Sequence, residues 1–212
     1  MSLRLLESII PSGADSEGIN QTTQQQLGRQ LAELHQTRQD YFGWHHDNFI
    51  GSNQQRNTRD NNWVNFWQEQ RLMAQLKLAS ENGYTGKIQQ QGEQLCLLIP
   101  EFFSSYQPQA SLLHGDLWSG NAAADAEGRA IIYDPACYYG DRETDIAMTE
   151  LFGGFSADFY AAYEEAWPLD SGYKTRKTLY NLYHILNHLN LFGSGYLCQA
   201  ERMMQPLITE IR

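Results

Sequence analysis

Cysteine is scarce. Cys96, Cys137 and Cys198 are the only three in 212 residues, they lie far apart, and no CxxC pair occurs. That excludes a disulfide framework and the spacing of a thiolate zinc site, and makes a reducing compartment the default. Lysine is nearly as rare (Lys77, Lys87, Lys174 and Lys177), and 15 basic residues stand against 25 acidic ones for a formal charge of −10. A chain of that sign is unsuited to a nucleic-acid backbone or an anionic membrane. It does not exclude a nucleotide, whose phosphates are handled by a divalent cation and a few local donors. No apolar run approaches the roughly 20 residues of a membrane span. The start "MSLRLLESII" lacks a secretory layout. The expected setting is cytoplasmic, with no membrane and no nucleic-acid partner.

What is present is an ordinary globular composition, 42% hydrophobic and 12% aromatic, in a chain long enough for one sizeable core. The glutamine clusters "QTTQQQ" and "IQQQGEQ" fit helix surfaces. Leu27, Leu31 and Leu34 recur at helical spacing, with Asn20 or Thr22 as the cap and His35 at the polar-to-apolar border. Residues 45–62 are polar and turn-rich and predict a long loop, in which His45, His46 and Asp47 read as solvated. Trp63, Phe66, Trp67, Met73 and Leu76 fit one face of a helix ending near Gly83. Leu95, Leu98, Ile99 and Phe102 fit another that Pro100 kinks or ends. "TGKIQ" (85–89) reads as a turn. Helical periodicity returns over 143–151, 156–166, 176–192 and 195–211. Between these blocks, "AAADAEGRAIIYD" reads as two short strands around an Asp-Ala-Glu-Gly turn. The fold class is therefore α+β, predominantly helical, with one central hairpin. A lone hairpin is marginal as structure, which points to a site on it.

The hairpin carries the chemistry. In "HGDLWSGN", Asp116 precedes the first strand and Asn121 opens it; Asp134 closes the second. With the turn centred between Ala126 and Glu127, Asn121 and Asp134 fall within one residue of facing each other. A carboxylate and an amide oxygen on a firm hairpin suit Mg2+. A free carboxylate beside them can orient a hydroxyl and accept its proton. That set is the one phosphoryl transfer uses, with the asparagine five residues after the base. The bland alternative is a turn whose aspartate caps a helix.

"LLHGDLWSGN", "IIYDPACYYGDRETDIAMTELFGGF" and "NFWQEQRL" resemble the fructosamine kinase (ketosamine-3-kinase) family. These are protein-kinase-like enzymes related to the aminoglycoside and choline kinases. The resemblance runs from about Leu5 to the C-terminus. It implies transfer of the ATP γ-phosphate to the C3 hydroxyl of a ketosamine on a glycated amine or protein, with Mg2+, followed by breakdown that releases the amine. It also implies Asp116 as base and Asn121 and Asp134 as Mg2+ ligands. His114, Gly115 and Asp145 become supports of the catalytic loop. Trp118 is either a sugar-packing ring or a packed support of the loop. In "DRETD", Asp141 and Glu143 become substrate-side residues, while Arg142 is kept as a solvated turn residue.

His184 and His188 stand one helical turn apart, but without an H-E-x-x-H pattern or a third ligand zinc is not expected. No GxGxxG and no V-A-I-K-like lysine occurs, and both are parts of the small lobe of a kinase-like fold. The expected organisation is a connector strand over 1–12 followed by a C-terminal catalytic and substrate-binding lobe over 13–212, with the N-terminal lobe outside the chain. On that expectation the chain is inactive alone and self-associates through an uncovered face near Leu3–Ile10. Two alternatives stay open: another small-molecule hydroxyl kinase of the aminoglycoside or choline type, and a non-catalytic binding module.

Overall fold

The computed structural model describes residues 19–209 and, by backbone alone, the strand Arg4–Leu6. The expected self-association face near Leu3–Ile10 concerns side chains outside the described residues. The short strand β1 (Arg4–Leu6) pairs in parallel with β6 (Ala130–Tyr133), and β6 pairs antiparallel with β5 (Ala122–Ala124). Asp125–Gly128 closes the β5–β6 hairpin as expected, with the Gly128 amide donating to the Asp125 carbonyl at 2.9 Å.

Two further strand pairs escape the sequence pattern. β4 (Ser111–Leu113) pairs antiparallel with β7 (Tyr138–Gly140). Within the polar stretch 45–62, β2 (Asn48–Ile50) pairs with β3 (Asn53–Gln55). Each strand is three residues long, too short for alternation to register.

Helices make the bulk. α1 (Gln21–His35) starts where Asn20 accepts from the Thr23 amide at 2.9 Å, a side-chain N-cap. α2 (Trp63–Phe66) and α3 (Met73–Glu81) are joined without a break by a π-helical turn, Trp67–Leu72. That turn corrects one expectation. It advances the buried stripe by a residue, so Leu72, Leu76 and Ala79 continue the inner face while Met73 is 46% exposed. α4 begins at Lys87, inside the stretch read as a turn, and runs to Leu98. Pro100 then sits in the first turn of a 3₁₀ segment, Ile99–Phe103, where its missing N–H costs nothing.

α5 (Glu143–Leu151), α6 (Ala157–Ala166), α7 (Tyr173–Phe192) and α8 (Leu197–Thr209) follow the predicted periodicity closely. α7 is the central helix. Its buried side chains run nearly all round, from Leu179 through Leu189, and α3, α5 and α8 all pack on it. No helix among the described residues is long and apolar enough to cross a membrane.

α1 and α6 are the most intimately packed pair of helices, and Gly28 explains why. A Cβ there would lie 2.3 Å from the carbonyl oxygen of Phe159 and 3.1 Å from the amide of Tyr163. Backbone cannot yield as a flexible side chain does. Gly28→Ala should therefore lower stability by about 1–3 kcal/mol, the cost of overpacking, despite alanine's better helix propensity. Urea unfolding of the two proteins measures it, and an unchanged or raised midpoint would mean that the α1–α6 contact is looser than described.

Candidate active site

β4 delivers the chain into His114-Gly115-Asp116, a loop held from below by one carboxylate. Asp145, in the first turn of α5, accepts from the His114 amide at 2.7 Å through Oδ2 and from the Gly115 amide at 2.8 Å through Oδ1. Burial alone would raise its pKa. Only together do the lowering causes, led by the hydrogen bond with His35 and including the Gly115 amide, outweigh burial and hold the group below the ordinary aspartate range. Gly115 is required: φ is +83°, and a Cβ would sit 2.1 Å from the Ala136 carbonyl oxygen. The His114 ring is buried, and burial lowers its pKa. The neutral ring donates from Nε2 to the Tyr133 carbonyl at 2.9 Å and accepts the Asp116 amide at Nδ1 at 3.3 Å. It bolts the loop to the end of β6.

The hairpin register places Ala122 opposite Ile132, so Asn121 falls opposite Tyr133, one residue short of Asp134. Asp134 is the one non-glycine residue with positive φ among those described, at 52°. That left-handed step lets the chain leave β6 and turn back as β7, with the Asp134 side chain exposed. Asn121 donates through Nδ2 to the Asp116 carbonyl at 2.9 Å, which leaves its amide oxygen as the atom available to a cation. The donor set, one carboxylate and one amide oxygen, suits a hard cation. Among the described residues no three His, Cys, Asp or Glu side chains gather as a metal cage. A cation here would complete its shell with water and phosphate oxygens, the habit of Mg2+.

The Asp116 carboxyl has its pKa pushed up to about 7, first by burial and then by the charges of Asp145 and Asp134. A cation beside Asp134 would pull it back toward ionisation. Trp118 is 39% exposed, its ring lying so close over Gly120 that a Cβ there would meet it at 2.2 Å. One face of the indole is supported by backbone, and the ring stays open to solvent.

The profile of the fructosamine kinase family matches residues 14–210. The chain belongs to the fructosamine kinase family. It is 49% identical over 184 residues to a probable ketoamine kinase of Vibrio parahaemolyticus, covering 86% of this chain and 62% of that protein. It is 45% identical over 197 residues to the chloroplastic protein-ribulosamine 3-kinase of Arabidopsis thaliana, covering 92% and 60%. A crystal structure from Thermobifida fusca, assigned as a fructosamine-3-kinase, superposes with TM-score 0.86 at 29% identity over 92% of this chain and 68% of that one. The chain thus spans about three fifths of the length of the curated relatives it matches. Membership places it in the protein-kinase-like superfamily, and the helix-rich α+β fold accords with that.

Within this family member, "DRETD" is not the solvated turn expected for Arg142. Arg142 is 6% exposed and donates to the Tyr163 hydroxyl at 3.0 Å and the Trp167 carbonyl at 2.9 Å. Asp141 and Glu143 are fully buried, and their carboxylates meet protein partners. Asp141 accepts from Tyr180 at 2.5 Å and Tyr106 at 3.0 Å. Glu143 makes a two-point pair with Arg176, at 2.7 and 3.0 Å, yet burial still raises it to about 7. Arg142, which charge density had marked as surface, and its neighbours Asp141 and Glu143 form a buried polar knot at the start of α5.

His184 is buried, its pKa pushed down to about 3 by that burial, and His188 turns its Nδ1 to the His184 carbonyl at 2.7 Å. They do not converge. The residue missed by the sequence reading is His35. It continues the buried stripe of Leu27 and Leu31 at four-residue spacing and meets Asp145 at 3.1 Å. A polar residue in register with a leucine stripe was the available signal.

The raised pKa of Asp116 has a measurable consequence for stability. Its unfolded value is the ordinary 3.8 and its folded value about 7, so the folded state holds the extra proton. The stability linked to that proton is complete below pH 4 and is lost as pH rises toward 7. Asp116→Asn removes the charge and keeps the shape. Without divalent cation, its melting temperature should match wild type near pH 4 and exceed it increasingly up to about pH 7, then level off. Thermal melts in chelator across that range are the check; a gap that stays constant or shrinks would show that Asp116 is not disfavoured as an anion.

Proposed function

We propose that this chain supplies the catalytic and substrate-binding part of an ATP-dependent ketosamine 3-kinase. The observation that carries the reading is the loop of Asp116, clamped by Asp145 and bolted to β6, beside Asn121 and Asp134 at one end of the β5–β6 hairpin. Asp116 takes the proton of the C3 hydroxyl of a ketosamine on a glycated amine. The oxygen attacks the γ-phosphorus of ATP, and ADP leaves. Asn121 and Asp134 would hold Mg2+, which neutralises charge on the phosphates when bound. Trp118 offers its open face to the C–H side of the sugar. The placing of Asp141 and Glu143 inside the fold makes them supports of this site through α5. Ribulosamine and fructosamine are the acceptor types that the names of the relatives support.

The roles separate in the full-length enzyme. Asp116→Asn should lower turnover by about 10²–10⁴, the range for loss of a general base, with little change in the Mg2+ concentration required. Asp134→Ala should shift that requirement upward, because a charged oxygen ligand is gone. Superimposable Mg2+ titrations for Asp134→Ala and wild type would remove Asp134 from the metal. In the same assay Trp118→Ala should raise KM for the ketosamine about tenfold, by analogy with loss of a stacked ring, and leave that for ATP in place. Equal losses for both would mark Trp118 as a prop of the loop.

A second outcome concerns the 212 residues as an isolated polypeptide. They contain the base and the metal-side residues but neither a Gly-rich phosphate loop nor a strand lysine. Phosphoryl transfer rests on positioning and electrostatics. The polypeptide alone should therefore fold, bind ATP on the order of millimolar or more weakly, about 4 kcal/mol or less, and transfer no measurable phosphate to a fructosamine. Clear turnover or micromolar ATP affinity by calorimetry would contradict this part of the proposal.

A further inference from the structure

Beneath the base lies a line of buried polar groups drawn from three distant parts of the sequence. Arg142, at the threshold of α5, donates to the Tyr163 hydroxyl of α6 at 3.0 Å. Tyr163 lies 2.8 Å from Nδ1 of His35, the last residue of α1. Nε2 of the same ring lies 3.1 Å from Oδ2 of Asp145, the atom that also takes the His114 amide. His35, Asp145 and Tyr163 are each no more than 1% exposed.

The hydrogens sort themselves by chemistry. A carboxylate only accepts, so Nε2 carries a proton toward Asp145. Burial pushes the Tyr163 phenol well above its usual pKa, so it keeps its proton. It accepts from Arg142 and shares a hydrogen bond with Nδ1 of His35. Arg142 is itself fixed, its guanidinium 4.0 Å over the Trp167 ring and bonded to the Trp167 carbonyl. The line runs from guanidinium to phenol to imidazole to carboxylate, and it ends on the two amides that begin the loop of Asp116.

We infer that His35 is a positioning residue for the base, acting through Asp145; the inference rests on the reading of Asp116 as that base. Asp145 can hold the His114 and Gly115 amides only in one rotation of its carboxyl plane, with Oδ1 to Gly115 and Oδ2 to His114. His35 donates to Oδ2 from the other side, and its ring is held at its far nitrogen by Tyr163. Remove the donor and a buried carboxylate loses one of its few partners. The plane is then free to turn toward whatever donor remains, and the loop moves with it. Asp116 is the residue after the second clamped amide, so an error there arrives at the carboxylate undiminished.

Two substitutions of nearly equal character test this in the full-length enzyme. The amide nitrogen of His35→Gln reaches where Nε2 stood and restores the donor to Asp145. That of His35→Asn stops near Nδ1, within reach of Tyr163 only. We expect His35→Asn to lower kcat by about ten- to a hundredfold, the scale for a misplaced reacting group. KM for both substrates should stay within about twofold. His35→Gln should recover most of the loss. A role in bulk stability alone would not separate Asn from Gln in kcat while sparing KM.

Hydrogen exchange of the His114 and Gly115 amides, read by NMR, gives a second measure that needs no turnover. Exchange should quicken in His35→Asn, relative to the stability of the whole protein, and return toward wild type in His35→Gln. Identical exchange at both amides in Asn, Gln and wild type overturns the inference whatever the activity. If the wild-type enzyme phosphorylates no ketosamine, the functional reading fails and exchange still decides the link from His35 to the loop. Should His35→Asn not fold, Tyr163→Phe carries the test, because it leaves the ring in place and removes the hydroxyl that orients it. Faster exchange at Gly115 then supports the line, and an unchanged rate refutes it.

Discussion

A buried carboxylate that accepts two consecutive backbone amides fixes the geometry on which everything else in this molecule depends. Asp145 is 1% exposed, and a charge so placed survives only because donors surround it. Those donors are the start of the catalytic loop on one side and His35 on the other. The arrangement works in both directions. The loop satisfies the carboxylate, and the carboxylate removes from the loop the freedom that would blur the position of Asp116. α5 carries Asp145, and the knot of Asp141, Glu143, Arg176 and Tyr180 beneath it ties the start of α5 to α7, the helix that most of the core is built around.

Electrostatics and geometry pull against each other at the site itself. Three carboxylates, Asp116, Asp134 and Asp145, lie near enough to raise the first of them. Only Asp145 is fully paired with protein donors. The negative charge disfavoured at Asp116 costs stability in the absence of a cation, and a cation beside it would relieve that cost. A site that binds metal and phosphate must keep such an imbalance, because a fully neutralised one would have nothing left to offer.

The helices were legible in the sequence because their apolar periodicity is long: α5 to α8 fall close to the spans read from periodicity, and Asn20 caps α1 by its own side chain. The β5–β6 hairpin was legible through its turn, and its register falls within a residue of the one read from the sequence. The strands of β2–β3 and β4–β7 were not, since three residues carry no period. Met73 was misplaced by a π turn, which breaks the 3.6-residue count that placed it. Charge density misled over Arg142, and the burial of its neighbours Asp141 and Glu143 could not be read from it. A run of charges reads as solvent-facing until the partners are known, and Arg176, Tyr180, Tyr106 and Tyr163 lie up to 39 residues away. His35 was hidden for the same reason: its partner Asp145 is 110 residues distant.

Trp118 owes its posture to a residue that has no side chain. The indole rests on the bare backbone of Gly120, whose own carbonyl is held by the Tyr133 hydroxyl at 2.6 Å. An alanine at 120 would occupy the ring's present seat and tip the indole outward without altering a single atom of Trp118. On the role proposed for Trp118, the surface it offers an acceptor is therefore written at two positions, one aromatic and one empty. Under that proposal, a lineage or a directed-evolution library would retune the contact by changing the floor and leaving the ring untouched.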